Sequence, residues 1–278
     1  MRARSLSGVE ARVVLSLEER GREELSLDAI QEFARVRRGF ARKLAHELVG
    51  KGWLQRVGRG RYLLNPSGYG PDAGPETDPL RVGSHLVQPY YFGFATAAEL
   101  WGLLLQPGRT YYLVTPTRTT VHVAGPARFR IVRVAPRRFF GSAGLQRRGL
   151  TLAVSDPERT VLDCLARPEF SGGMAGATQV LARAKPRLSW TRLGSHLARL
   201  GQRSLGLRLG FLAERVRPSI LPPSRWTSRL LPRPEDPWVP LGPPRTYGRT
   251  GPREARWHLI LNVPERELLE LFAEAETR

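Results

Sequence analysis

The sequence predicts an α+β protein in which a small module of three helices and a hairpin precedes a larger mixed α/β domain. Three observations carry this expectation. Apolar residues recur at helical spacing from Val9 to Leu48, and glycines at 50 and 52 end the pattern. The segment WLQRVGRGRYLL then reads as two short strands around a Val57–Gly60 turn. Beyond a Pro/Gly-rich stretch, β-branched and aromatic runs give way to further helical patterns.

Within residues 8–64, Val9, Val13, Val14 and Leu17 predict a first helix ending near Gly21. Ser26 is an N-cap candidate for a second helix bearing Leu27, Ile30, Phe33 and Ala34. A tight turn at Arg35–Val36 leads to a third helix from about Arg37 to Gly50, with Phe40, Leu44 and Leu48 as its expected apolar stripe. At ~100° per residue, Arg38, Arg42 and His46 share the opposite face. Three helices followed by a basic hairpin is the element order of a winged helix-turn-helix. In that arrangement the third helix enters the major groove of double-stranded DNA. Arg38 and Arg42, with Lys43 beside them, are then placed near base edges, where arginine reads guanine bidentately. Arg35 and Arg37 at the turn, and Arg56, Arg59 and Arg61 on the hairpin, suit backbone contacts. His46 reads as a surface residue. The expected domains are a DNA-binding domain over 1–65, a linker over 66–80 and a C-terminal α+β domain over 81–278.

The linker assignment rests on NPSGYGPDAGPETDP, with four prolines, three glycines and no apolar periodicity. A second Pro-rich stretch, about 217–256, holds ten of the 23 prolines together with Trp226, Trp238 and Tyr247, so it reads as a packed strap. Between them a helix is expected over Ala95–Leu105, with Leu100, Leu103 and Leu104 inward. Strands are expected at Thr110–Thr115, Thr120–Val123, Phe129–Val134 and Leu150–Val154, with a Gly125–Pro126 turn. Asp156 followed by Pro157 is a preorganised helix start, with Val161, Leu162 and Leu165 packing inward. Asp163 on this helix is expected to cap or to pair with an arginine. Helices follow at about Met174–Ala184, Ser189–Gly201 and Ser204–Val216.

Composition narrows the classes. The chain has 278 residues, 44 Lys+Arg against 25 Asp+Glu, a formal charge of +19 and 41 % hydrophobic residues. It can bury a core, and its charge favours a polyanion partner. Lysine occurs only at Lys43, Lys51 and Lys185, so the basic excess is arginine. The densest excess, ten arginines against Glu99, lies in residues 81–150. There Arg128, Arg130, Arg133, Arg137 and Arg138 form a second basic cluster. It fits a DNA surface, an acidic protein partner or a solvated strand face. The single cysteine, Cys164, excludes an intrachain disulfide and a four-thiolate zinc site and reads as buried. No apolar run reaches membrane-spanning length, which predicts a cytoplasmic protein with no membrane partner.

Several segments resemble the AbiEi-type antitoxins of toxin–antitoxin and abortive-infection operons. They are ARKLAHELVGKGWLQRVGRGRYLLNP, YYFGFATAAELWGLLLQPGRTYYLVTP (90–116), FRIVRVAPRRFFG (129–141), VSDPERTVLDCLARPEFSGG (154–173), LARLGQRSLGLRLGFLAER and WHLILNVPE (257–265). Their order and spacing, rather than any one motif, carry the resemblance. It implies a winged helix that binds operator DNA and represses its own operon, and a larger domain needed to neutralise a nucleotidyltransferase-like toxin.

The motifs GxxxxGK[ST], HExxH and GxSxG are absent, and His46, His85, His122, His196 and His258 lack ligand spacing. No catalytic residue, metal or cofactor is therefore expected. The reading is a DNA-binding antitoxin rather than an enzyme. The alternatives are a winged-helix transcriptional regulator whose second domain senses a ligand or mediates assembly, or a nucleic-acid enzyme.

Overall fold

The computed structural model describes residues 4–70, 78–104, 108–118, 127–147, 149–216 and 219–267. The chain is mixed α+β and divides into two units, Met1–Tyr90 with Thr117–Arg133, and Tyr91–Pro116 with Val134–Arg278. The expected strand at 120–123, the Gly125–Pro126 turn and linker residues 71–77 lie outside the described residues. Among the described residues no helix is long and apolar enough to cross a membrane.

The first unit opens with α1 (Gly8–Glu19). Ser7 and Glu10 close a reciprocal capping box there, and Glu10 also takes a 2.7 Å ion pair from Lys51. Burial works to raise the Glu10 carboxyl, but the bonds from Lys51 and Ser7 hold it below the usual range. Strand β1 (Glu24–Ser26) was not anticipated, because three residues carry no readable alternation. Ser26 ends it and caps α2 (Leu27–Ala34) through the Ala29 amide. Helix α3 (Arg38–Gly50) is followed by β2 (Leu54–Gly58) and β3 (Arg61–Leu64), which form a sheet in the order β1-β3-β2. Val13, Val14, Leu17, Ile30, Leu44 and Leu48 fill one core beneath these elements.

The expected boundary near residue 80 lies further along. Asp78 caps α4 (Pro79–Ser84), and buried Arg81 on that helix reaches Glu23 at 3.4 Å and the Leu64 carbonyl. These bonds hold 79–90 to the first unit.

The second unit begins with β4 (Tyr91–Phe92) and α5 (Phe94–Leu100), then β5 (Thr110–Thr115). Helix α5 is shorter than expected: Trp101 caps it and Gly102 turns with φ +70°. Its inward face is Phe94, Ala97 and Ala98, with Leu100 half-buried. The chain returns to the first unit for β6 (Arg128–Arg133) and then gives β7 (Ser142–Arg147) and β8 (Leu150–Ser155). Within the second unit the strands run β5-β4-β8-β7, with β4 parallel to β8 and antiparallel to β5. Strand β7 was unforeseen because its residues are mostly exposed and lack apolar alternation.

Helix α6 (Pro157–Ala166) is the centre of this unit, buried on every side from Glu158 to Leu165. It packs against α5 and against α7 (Gly173–Ala184), α8 (Trp190–Leu200) and α9 (Arg203–Arg215). Its polar residues are therefore partnered. Asp156 caps the helix at the Arg159 amide and holds His196 at 2.8 Å. Glu158 accepts from the Ser189 amide at the start of α8. Arg159 pairs with Asp163 at 2.9 Å and lies over the Phe140 ring. Cys164 is wholly buried, and burial pushes its thiol far above the ordinary range.

The Pro-rich stretch holds regular elements: α10 (Ser224–Leu230), β9 (Val239–Pro240) and β10 (Arg253–Glu254), the two strands joined into a small sheet by β11 (Leu259–Ile260) just beyond it. Trp257 anchors it, wholly buried and bonded to Glu214. Gly210 makes room for that ring, since a Cβ there would lie 2.1 Å from it.

Burial moves the Asp163 carboxyl from 3.8 up to about 6, against the pull of Arg159. The folded state therefore holds a proton that the unfolded chain has lost, and this site's contribution to stability disappears as pH rises through about 6. Between about pH 4 and about pH 7 the wild type is expected to lose about 2–3 kcal/mol relative to Asp163→Asn, measured by denaturant unfolding. An equal pH dependence of the two proteins would contradict this.

Candidate nucleic-acid interface

The exposed cations of the first unit are set by two turns. The first joins α2 to α3. Arg35 occupies the left-handed region at φ 54° and donates its amide to the Gln31 and Glu32 carbonyls, closing α2. Left-handed backbone costs a non-glycine residue about 1–2 kcal/mol, so this arginine is held at a strained corner. Arg37 is the N-cap residue of α3 and has no side-chain capping bond. Both side chains are exposed.

Along α3 the buried seam is Ala41, Leu44, Ala45 and Leu48. Arg38, Arg42, Lys43 and His46 face solvent. Arg38 makes a 3.1 Å pair with Asp28 with both side chains mostly exposed, a contact that contributes little and exchanges readily. Lys43 sits 3.8 Å from Glu47 one turn on. Phe40 corrects the expected stripe: it is 48 % exposed rather than packed on the core. The two alanines, small enough to be passed over in an apolar count, are what face the core. Including them in the spacing locates the seam and turns Phe40 outward.

The second turn is the tip of the β2–β3 hairpin. Gly58 pairs with Arg61, leaving Arg59 and Gly60 as a two-residue connection, with Gly60 at φ +68°. This is tighter than the Val57–Gly60 turn expected, because a bulge between Arg56 and Gly58 absorbs one residue. Arg59 is exposed at the tip. Arg56 is exposed beside it and donates Nε–H to the Gly58 carbonyl.

Arg61 does not join them. Its Nε donates to Glu24 at 2.6 Å, and its two terminal nitrogens donate to the His85 and Leu86 carbonyls. His85 in turn lies 3.4 Å from Glu24 and 3.3 Å from Glu23. Burial works to raise the Glu24 carboxyl, but the bonds from His85 and Arg61 hold it below the usual range. The expectation that Arg61 serves the surface is corrected: it ties the hairpin to the α4 segment. The partner, Glu24, gave no sequence signal because it is distant in the chain.

The second basic cluster divides between the units. Arg128, Arg130 and Arg133 are exposed on β6, while Arg137 and Arg138 form a single 3-10 turn of the second unit. Among the described residues, no group of three His, Cys, Asp or Glu could hold a metal.

These features define an α+β protein whose first unit carries a cationic helix and hairpin tip. Its fold is similar to that of the RV2827C protein from Mycobacterium tuberculosis, with a TM-score of 0.62 and 18 % identity over 92 % of each chain. No protein-family model and no curated protein matches the chain.

Arg59→Ala and Arg61→Ala separate surface from scaffold. Loss of Arg61 is expected to destabilise the fold by about 1.5–3 kcal/mol, the range for hydrogen bonds to charged groups. Loss of Arg59 is expected to leave stability within about 0.5 kcal/mol. Denaturant unfolding of both variants checks this, and equal destabilisation would contradict the assignment.

Proposed function

We propose that the chain is a DNA-binding antitoxin that represses its own operon and neutralises a co-encoded nucleotidyltransferase-like toxin. Residues 8–64 act as a winged helix-turn-helix, with α3 as the recognition helix and the β2–β3 hairpin as the wing. The observation that carries the DNA reading is the solvent-facing row Arg38, Arg42 and Lys43 on α3, opposite its apolar seam and in one unit with the exposed tip arginine Arg59.

A recognition helix places its N-terminal residues against base edges. Arg38 and Arg42 hold that position, and guanine presents two acceptors that a guanidinium fork matches. Phe40, exposed on the first turn of α3 about 200° round the helix from both arginines, offers a separate apolar contact of the kind a thymine methyl group accepts. Arg35, Arg37, Arg56 and Arg59 neutralise phosphates and set the register. The first turn of α3 itself holds no acidic residue. The antitoxin half of the reading rests on the resemblance of segments 90–116, 129–141, 154–173 and 257–265 to the AbiEi type. It assigns neutralisation to the second unit and gives the chain no catalytic role.

The test uses the full chain and a duplex from upstream of its own gene. Arg38→Ala and Arg42→Ala are each expected to cost about 1–3 kcal/mol in binding and to relax sequence preference, measured by fluorescence anisotropy. Arg59→Ala is expected to weaken all sequences alike and to flatten the salt slope by about one. The Arg38/Arg42 double variant should still rescue cells from the toxin. Unchanged operator binding in that variant would overturn the recognition helix, and failure of the wild type to rescue would overturn the antitoxin role.

A further inference from the structure

Strand β7 stands last in the second unit's strand order and pairs on one side only, with β8. The pairing runs unbroken from Ser142 opposite Ser155 to Arg147 opposite Leu150. An antiparallel ladder alternates residues that bond the partner strand with residues whose N–H and C=O point the other way. The Asp156 amide donates to the Gly141 carbonyl at 2.8 Å, which fixes that alternation. Ala143, Leu145 and Arg147 therefore bond β8, while Ser142, Gly144 and Gln146 turn their backbone groups to the outer edge. Among the described residues, nothing bonds the backbone of these three.

Folded sheets guard such an edge with prolines, charges, bulges or a covering segment. Strand β7 has no proline, its register holds no bulge, and its one charge is Arg147 at the last position. All of its residues except half-buried Leu145 are exposed. Ser142, Ala143 and Gly144 place little side chain in the way of an approaching strand.

We propose that β7 pairs antiparallel with β7 of a second copy of this chain, about a two-fold axis at Gly144. The strand is its own complement in that register. Ser142 meets Gln146, Gly144 meets Gly144 and Gln146 meets Ser142, so outward residues meet outward residues. Each of these three pairs exchanges two N–H···O bonds. Moving the axis to Ala143 or Leu145 leaves only two such pairs. The glycine puts no side chain at the axis. Arg147 of each copy falls opposite Gly141 of the other, which sets the two arginines about 20 Å apart along the strands at about 3.4 Å per residue. That separation exceeds the Debye length of about 8 Å at physiological salt, so the edge opposes no like charges although the chain carries +19. A strand from an acidic protein would find a single cation, at one end of this edge. The inference is independent of the DNA-binding reading, because every residue in it belongs to the second unit and its test uses no DNA.

Sedimentation velocity of the full chain across the micromolar range should show a monomer–dimer equilibrium. Gly144→Pro removes an outward donor that serves no bond to β8, and should weaken the dimer at least about tenfold while the chain stays folded. Gly144→Lys leaves the backbone intact and faces two like charges across the axis, so it should weaken the dimer even if the proline variant fails to fold. A Cβ at Gly144 meets only Thr151 Cγ2, at 3.8 Å, so the lysine is accommodated. Register is read by oxidation. Gly144→Cys brings two thiols to Cα atoms about 5.5 Å apart and should give a disulfide-linked dimer. Ser142→Cys leaves its two copies about 14 Å apart along the strands and should not. Cys164 is wholly buried and does not compete. A wild type that stays monomeric, a dimer unchanged by both Gly144→Pro and Gly144→Lys, or cross-linking of Ser142→Cys as readily as Gly144→Cys would overturn the proposal.

Discussion

A chain with a formal charge of +19 must decide locally which of its cations are neutralised and which are left to solvent. The structure meets this constraint by committing carboxylates to particular arginines inside each unit. In the first unit, Glu23 and Glu24 beside β1 gather Arg61, Arg81 and His85, which draws the hairpin and α4 together. In the second, Asp163 holds Arg159 inside α6, and Glu214 holds Arg256 and Trp257 at the C-terminal sheet. Buried cations without such partners would be expensive. Which cations α3 and the hairpin tip present is then set by their own packing rather than by the overall excess.

That selection gives the functional reading its content. Net charge alone brings a protein to polyanions without saying where they bind. The seam of Ala41, Leu44, Ala45 and Leu48 orients α3, and that orientation presents Arg38, Arg42 and Lys43 together. The bulge at Arg56–Gly58 tightens the hairpin so that Arg59 occupies its tip. Arg61, two residues on, lies on a strand paired to both neighbours and is turned to internal use by Glu24.

Local grammar was legible where a single short-range interaction decides the outcome. Ser26 and Asp156 cap the helices expected of them, because capping depends on residues three apart. The leucine repeats of α8 and α9 are buried as their spacing implies. Partners distant in the chain were not legible: the Glu24–Arg61–His85 group joins residues up to 61 apart, and Trp257 finds its place through Gly210 and Glu214. Short strands such as β1 and β4 carry too few residues to show alternation and form because a longer neighbour pairs with them. Phe40 faces solvent for a different reason: Ala41 and Ala45, whose small side chains carry little hydrophobic signal, line the seam in its place.

Side-chain chemistry reads the partition of arginines into surface and scaffold directly. Modification with p-hydroxyphenylglyoxal, followed residue by residue by mass spectrometry with and without upstream duplex, reports each guanidinium separately. Arg35, Arg37, Arg38, Arg42, Arg56 and Arg59 should react quickly in the free protein and be protected by DNA, while Arg61, Arg81 and Arg159 stay slow in both states. Fast reaction of Arg61 and Arg81, or DNA protection confined to arginines beyond residue 134, would contradict it.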